Sequence, residues 1–161
     1  MGRFNYAQAL DWNECQDSIE VGAELTAALD KVAKLDFSML KQKLGQEKGW
    51  SVEYQEEVEG LYRRFLALNI AYPEQKICPT GPIDEFWHAH ILDTRAYEQD
   101  CNQLFGYFLH HFPYFGMRGA EDYANLQTAF DKSRELFINH FGIDPSGGET
   151  QARGCSPQRC P

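Results

Sequence analysis

Histidine is the residue type in this chain with the most chemical potential, and its distribution is uneven. Four of the five histidines fall between positions 88 and 111, at His88, His90, His110 and His111. Neutral imidazole is the commonest metal ligand in proteins and the usual proton carrier near pH 7. Carboxylates and a tyrosine lie within two helical turns of the first two histidines, so this stretch predicts a functional site.

The spacing of the histidines limits which of them can share a metal ion. On a straight helix His88 and His90 point about 160° apart, because two residues subtend about 200°. Two ligand sets remain: His90 with His111 on the core side of the helix, or Asp84 and His88 with His110 or His111 on its flank. Three nitrogen and oxygen ligands with an open position would suit zinc or a non-haem transition metal such as iron.

We therefore predict a divalent transition-metal site, for zinc or iron, centred on His88, His90 and His111. Asp84 or Tyr97 would orient the ligands or move protons. In an enzyme, a metal-bound water would be the reactive group. The sequence identifies no catalytic residue and no substrate, because it contains no phosphate-binding glycine loop, no nucleophile elbow and no His-Glu-x-x-His motif.

The elements that must position these histidines are predicted by helical apolar periodicity. Apolar residues three and four apart indicate helices over about residues 18–34, 38–44, 51–70, 83–105 and 121–141. Ser51 is suited to cap the third helix, and Gly45, Gly106 and Gly142 are suited to end the second, fourth and fifth. Residues 107–119 are aromatic but interrupted by proline and glycine, which predicts a turn of helix followed by a packed irregular segment.

Composition and pattern together predict the fold class. The chain has 161 residues, of which 43% are hydrophobic, and this is the size and balance of one globular domain. No run alternates with period two for long enough to indicate a strand. We expect an all-α fold, an irregular bundle of about five helices, with residues 1–145 as the helical domain and residues 146–161 as a flexible tail.

Net charge, hydropathy and cysteine count narrow the possible partners. The formal net charge of -9 disfavours binding to nucleic-acid phosphates. The sequence contains no stretch of 18 apolar residues, so it predicts no membrane span. Its N-terminus lacks the apolar run of a signal peptide. Five cysteines at irregular spacing do not form a secreted disulfide framework. We therefore expect a cytoplasmic protein.

Two cysteines lie in the predicted tail. Cys155 and Cys160 could chelate a soft metal or close a small disulfide ring, or their thiols could simply be solvated. If the tail is functional, it would act as a redox or metal-delivery arm that reaches the helical body.

The histidine region also resembles a known family. The run IDEFWHAHILDTRAYEQDC, followed by FGYFLHHFPYFG, resembles the glycine-rich domain-containing protein-like family. That family is marked by Asp-x-x-Trp-His-x-His, then Tyr and Cys, then Gly and His-x-Pro. The matching positions are Asp84, Trp87, His88, His90, Tyr97, Cys101, Gly106, His111 and Pro113. The resemblance covers about residues 20–142. It implies a helical domain, and no reaction can be transferred with it.

A second functional hypothesis makes the protein a binding module. The aromatic side chains of YFLHHFPYF, residues 107–115, would form a docking surface for a protein or peptide. The histidines would then be structural.

Overall fold

A computed structural model of the chain describes residues 12–147, and within them all regular structure is helical. The six helices are α1 (Trp12–Ala33), α2 (Ser38–Lys48), α3 (Val52–Ala71), α4 (Gly81–Leu92), α5 (Thr94–Phe105) and α6 (Ala120–Phe141). The predicted all-α class is confirmed, with six helices in place of about five. Cys155, Cys160 and all but the first two residues of the predicted tail lie outside the described residues.

The structure has two helices, α4 and α5, where the sequence predicts a single helix over residues 83–105. That prediction is wrong. The chain turns at Asp93, whose ψ of 72° is not helical, so α4 ends there and α5 begins. In a continuous helix, residues ten apart are separated by about 15 Å along the axis. Here the side chains of Trp87 and Tyr97 are joined by a hydrogen bond of 2.9 Å, so α5 folds back against α4. Thr94, the first residue of α5, is exposed at the turn.

In most places the helices begin or end at the residues that the sequence predicts as caps. The Ser51 side chain accepts a hydrogen bond of 3.2 Å from the Tyr54 N–H, so the predicted cap of α3 is confirmed. Gly142 ends α6 with a φ of 65°, also as predicted. The predicted end of α2 at Gly45 is wrong: the helix continues to Lys48 and stops at Gly49, where φ is 68°. Gly45 instead makes room for Gln55, whose amide would lie 2.4 Å from an added Cβ.

The main core forms where α3 packs against α1, α2 and α4. Its largest fully buried side chains include Tyr62, Phe65 and Phe86. Arg63 fixes the end of α1, because its guanidinium donates hydrogen bonds to the carbonyl oxygens of Val32 and Leu35. Val32 lies in the last turn of α1 and Leu35 two residues beyond its end, so the arginine joins this end of α1 to α3.

A smaller cluster attaches α6 to the rest of the molecule. Leu126 and Phe130 of α6 pack with Cys78 and Phe115, which belong to the two long connections of the chain. The Cys78 N–H also donates a hydrogen bond of 2.8 Å to the Ser133 hydroxyl. The connection over residues 107–119 is therefore held between α5 and α6, and this is the segment that contains His111.

None of the helices in the described part of the chain is both long enough and apolar enough to cross a membrane.

Candidate metal centre

Two histidines and one aspartate bring their polar atoms to a common point. Asp84 and His88 lie four residues apart on α4, and His111 reaches them from the segment between α5 and α6. The His111 Nε2 lies 2.9 Å from the Asp84 Oδ1 and 2.9 Å from the His88 Nε2. The His88 Nε2 lies 3.4 Å from the Asp84 Oδ2. We call Asp84, His88 and His111 the triad.

The separations within the triad match those of ligands around a small metal ion. With metal–ligand bonds of about 2.05 Å, neighbouring ligand atoms are about 3.3 Å apart in a tetrahedron and about 2.9 Å apart in an octahedron. The separations observed among the three triad residues are 2.9 to 3.4 Å. The three residues are therefore spaced like ligands of one ion, with the Asp84 Oδ1 facing His111 and the Oδ2 facing His88.

The triad is half-buried and still accessible to solvent. The side-chain exposures are 18% for His88, 22% for Asp84 and 12% for His111. Burial, opposed in part by the Asp84 charge, lowers the pKa of His88 below its ordinary value of 6.5. The imidazole is therefore neutral at pH 7, which is the state in which histidine binds a metal.

The start of α4 orients the first two triad residues. Pro82 lies in the first turn, where its fixed φ suits a helix and its missing N–H costs nothing. Asp84 lies in the same turn, near the positive end of the helix dipole, which favours a carboxylate. The i, i+4 spacing then places His88 directly beside Asp84 on the helix surface.

A hydrogen-bond chain from α4 through α5 positions the third triad residue. The Trp87 indole N–H donates to the Tyr97 hydroxyl over 2.9 Å, and that hydroxyl donates to the Leu109 carbonyl oxygen. The Leu109 carbonyl is thus held by α5, two residues before His111, and the predicted turn of helix does not form there. The His111 ring also packs on Trp87, at 4.6 Å between centroids.

His90, which the sequence grouped with His88 and His111, lies elsewhere. Its Nδ1 is 2.8 Å from the Tyr62 hydroxyl, and its Nε2 is 2.8 Å from the Asp100 Oδ2. Because a carboxylate can only accept, the neutral ring donates from Nε2 and receives the Tyr62 proton at Nδ1. The structure therefore brings His88 and His111 together and leaves His90 bonded inside the core.

The other predicted residues are placed as follows. Asp84, expected to orient ligands, contributes an oxygen to the triad itself. The Tyr97 hydroxyl bonds to the Trp87 indole and the Leu109 carbonyl, and neither of these groups belongs to the triad. His110 stacks on Phe108, at 4.8 Å between ring centroids, and is exposed. Cys101 is buried, as expected of a small apolar residue.

Several polar partners were not identified from the sequence. Tyr62 and Asp100 bind His90 across 28 and 10 residues of chain, and no local pattern encodes such pairings. Glu85 forms an ion pair of 3.4 Å with Lys48, which lies at the end of α2. Glu85 precedes His88 by three residues, but the approach of Lys48 to it depends on how α2 packs on α4.

Exposure alternates along the segment that contains His111. From residue 108 to residue 115 the side chains are exposed and half-buried in strict alternation. His111 and Leu109 belong to the inner set, whereas Phe108, Phe112 and Tyr114 are 40%, 49% and 57% exposed. Over residues 108–112, ahead of the turn at residues 113–116, this period of two indicates an extended backbone, with the triad histidine on one side and the rings of Phe108 and Phe112 on the other.

Comparison with known proteins gives a family but no activity. A family model described as UCP032817-like matches residues 29–146, which is well over half of the chain. No curated protein and no solved structure matches. The resemblance to the glycine-rich domain-containing protein-like family is therefore wrong, because the family model that matches this region is a different one. The chain belongs to the UCP032817-like family.

Proposed function

We propose that this protein binds one divalent transition-metal ion through Asp84, His88 and His111. Two imidazoles and one carboxylate form the donor set of many zinc sites and of non-haem iron sites. Three ligands from the protein leave at least one coordination position for water or for another molecule. Such a site can serve catalysis, sensing or storage, and metal binding is common to all three.

The observation that supports the proposal most strongly is the convergence of three electron-pair donors. The three approaches among the triad atoms measure 2.9, 2.9 and 3.4 Å. The His111 Nε2 carries either one proton or one lone pair, so it cannot form good hydrogen bonds with both Asp84 and His88. A cation between the three side chains interacts favourably with all of them, and this favours a metal ion over a hydrogen-bonded cluster.

The surroundings of the triad support the proposal in two further ways. Burial keeps the pKa of His88 low, so no proton competes for its nitrogen near pH 7. Tyr97 bonds to Trp87 of α4 and to Leu109 of the His111 segment, so the elements that carry the ligands are held together and the ligands are preorganised. Tyr97 thus acts as a positioning residue, because its hydroxyl acts on His111 through Leu109.

Metal analysis of the protein prepared without a histidine tag tests this function. After metal removal and reconstitution with zinc, or with ferrous iron under anaerobic conditions, we expect about one equivalent per chain to resist dialysis. Retention of less than about a tenth of an equivalent of either metal would contradict the proposal.

A second candidate function is supported by the outer side of the His111 segment. Among the described residues, no backbone–backbone hydrogen bond involves Phe108, His110 or Phe112. Their extended backbone and exposed rings would suit an extended peptide that pairs as an added strand, with apolar side chains at alternate positions.

A peptide selection separates this candidate from the metal site. Peptides selected on the wild-type protein should bind the His88→Ala and His111→Ala variants equally well and lose affinity for Phe112→Ala. Methylation of alternate backbone nitrogens in the peptide should also weaken binding, since strand pairing needs those N–H groups. Binding that is insensitive to both changes would eliminate this candidate.

A further inference from the structure

We infer that the metal-loaded triad binds a small oxyanion, best matched by a carboxylate group, and that Lys48 is the specificity residue that attracts it. This inference rests on the proposed metal site. It adds the chemical class of the molecule that would occupy the open coordination position.

The position of Lys48 is the first observation behind the inference. Its ammonium lies 3.4 Å from the Glu85 Oε2. Glu85 follows Asp84 directly and precedes His88 by three residues, so it shares a face of α4 with His88. The Glu85 ion pair therefore holds the end of α2, and the lysine charge with it, beside the triad.

Lys48 is also accessible from solvent. The lysine side chain is 41% exposed, so the ammonium can turn towards a bound molecule. Its flexible four-carbon stem and three donors suit an oxyanion oxygen.

The balance of charge around the triad changes sign when a metal binds. Asp84, Glu85 and Lys48 together leave one net negative charge, which attracts a divalent cation. With the cation in place, the same groups leave one net positive charge. A monoanion such as a carboxylate would neutralise it, with one oxygen on the metal and the other on the lysine ammonium.

This arrangement predicts opposite effects of one substitution on two ligands. Lys48→Met removes a positive charge, so the variant should bind the metal at least as tightly as the wild type. The same variant should bind acetate more weakly, by about fivefold, which corresponds to the loss of one partly exposed charge contact. Partial unfolding would instead weaken the binding of both the metal and acetate. The pattern therefore distinguishes a role of Lys48 in specificity from a structural role.

The experiment uses the cobalt(II)-substituted full-length protein, whose visible absorption reports changes in coordination. Acetate is titrated at constant ionic strength into the wild type, Lys48→Met, Lys48→Arg and Lys43→Met. Lys43 lies on the same helix and pairs with Glu47 at 3.8 Å, so it provides a matched control. We expect weaker acetate binding in Lys48→Met alone, with Lys48→Arg close to the wild type.

The outcomes separate this inference from the proposed function. If cobalt does not load, the metal site itself is wrong and the inference fails with it. If cobalt loads but acetate leaves the spectrum unchanged, or binds all four proteins equally, the inference is overturned and the metal site stands. An equal loss of acetate affinity in Lys43→Met would mean that acetate binding depends only on the total charge of α2. That result would also overturn the inference.

Discussion

His110 and His111 are neighbours in the chain but lie in different environments. His111 is 12% exposed and contacts the other two triad residues, whereas His110 is exposed and stacks on Phe108. The two residues share a side-chain type and differ only in the face of the segment that they occupy. They therefore provide an internal control for any role of His111.

Replacement of one triad residue should remove metal binding without loss of the fold. We expect His111→Ala to weaken zinc affinity by more than about 100-fold, since even groups outside the ligand shell cost about 10- to 100-fold when removed. Asp84→Asn, which keeps the side-chain shape, should show the same loss, and His110→Ala should bind like the wild type. Calorimetric titration checks the affinities. Equal affinity in His110→Ala and His111→Ala would place the metal elsewhere.

The buried His90 predicts a pH dependence of stability. Burial, which outweighs the attraction of Asp100, lowers the pKa of His90 below its ordinary value of 6.5. The unfolded chain therefore binds more protons than the folded chain as the pH falls from 6.5 towards the lowered pKa. The stability from the neutral ring is present above pH 6.5 and is lost as the pH falls through the lowered pKa.

This prediction is checked on the metal-free protein by NMR titration of the imidazole nitrogens, with urea unfolding at matched pH values. We expect the His90 ring to titrate below 6.5 and the unfolding midpoint to fall on acidification. A His90 pKa at or above 6.5 would show that the contact with Asp100 dominates, contrary to this account.

At the scale of single residues, the sequence indicated which side-chain types could form a site. It said less about which residues contact one another. It centred the predicted metal site on His88, His90 and His111, and it left open a set of Asp84 and His88 with His110 or His111. It could not identify the residues that meet, because this depends on which face of α4 contacts the His111 segment. The choice between His110 and His111 similarly depends on the hydrogen bond from Tyr97 to the Leu109 carbonyl.

The turn between α4 and α5 is the element on which the site depends. It brings Tyr97 back against Trp87 and Asp100 back against His90, although each pair is ten residues apart. Periodicity could not reveal this turn, since the buried residues on both sides of Asp93 fit one continuous helical stripe. Asp93 and Thr94 favour helix starts over helix interiors, and this was the only local signal.

Loss of the Tyr97 hydroxyl should loosen the site while all three ligands remain. Tyr97→Phe leaves the Trp87 N–H and the Leu109 carbonyl without their present partner. We expect zinc affinity to fall by about tenfold, as is usual when an outer partner of a metal ligand is removed. Tyr107→Phe removes a hydroxyl from a residue that is 48% exposed and should leave affinity unchanged. Competition with a chelating dye measures both, and equal affinities for the two variants would contradict a positioning role for Tyr97.

At the scale of the whole molecule, the triad joins two parts of the fold that are distant in sequence. Asp84 and His88 belong to α4, which packs on the central α3, whereas His111 belongs to the connection held between α5 and α6. The all-helical class could be predicted from periodicity, because each helix has an apolar stripe of its own. The contacts between α6 and the two connections could not, since they follow from packing across distant segments.

A metal that bridges these parts should stabilise the folded chain. At a free zinc concentration of 100 times the dissociation constant, the expected gain is about 2.7 kcal/mol. For a chain of this size the melting temperature should rise by roughly 5 to 10 °C. Calorimetry with and without zinc checks this, and the rise should vanish in His111→Ala. An equal rise in that variant would mean that the stabilising metal binds outside the triad.

The most direct test of the metal centre is the X-ray absorption spectrum of the zinc-reconstituted, untagged protein. We predict nitrogen and oxygen scatterers at about 2.0–2.1 Å, with the outer-shell pattern of two imidazoles, and no sulfur. Sulfur scatterers at about 2.3 Å would instead indicate cysteine ligands, such as Cys155 and Cys160, and would contradict assignment of the site to Asp84, His88 and His111.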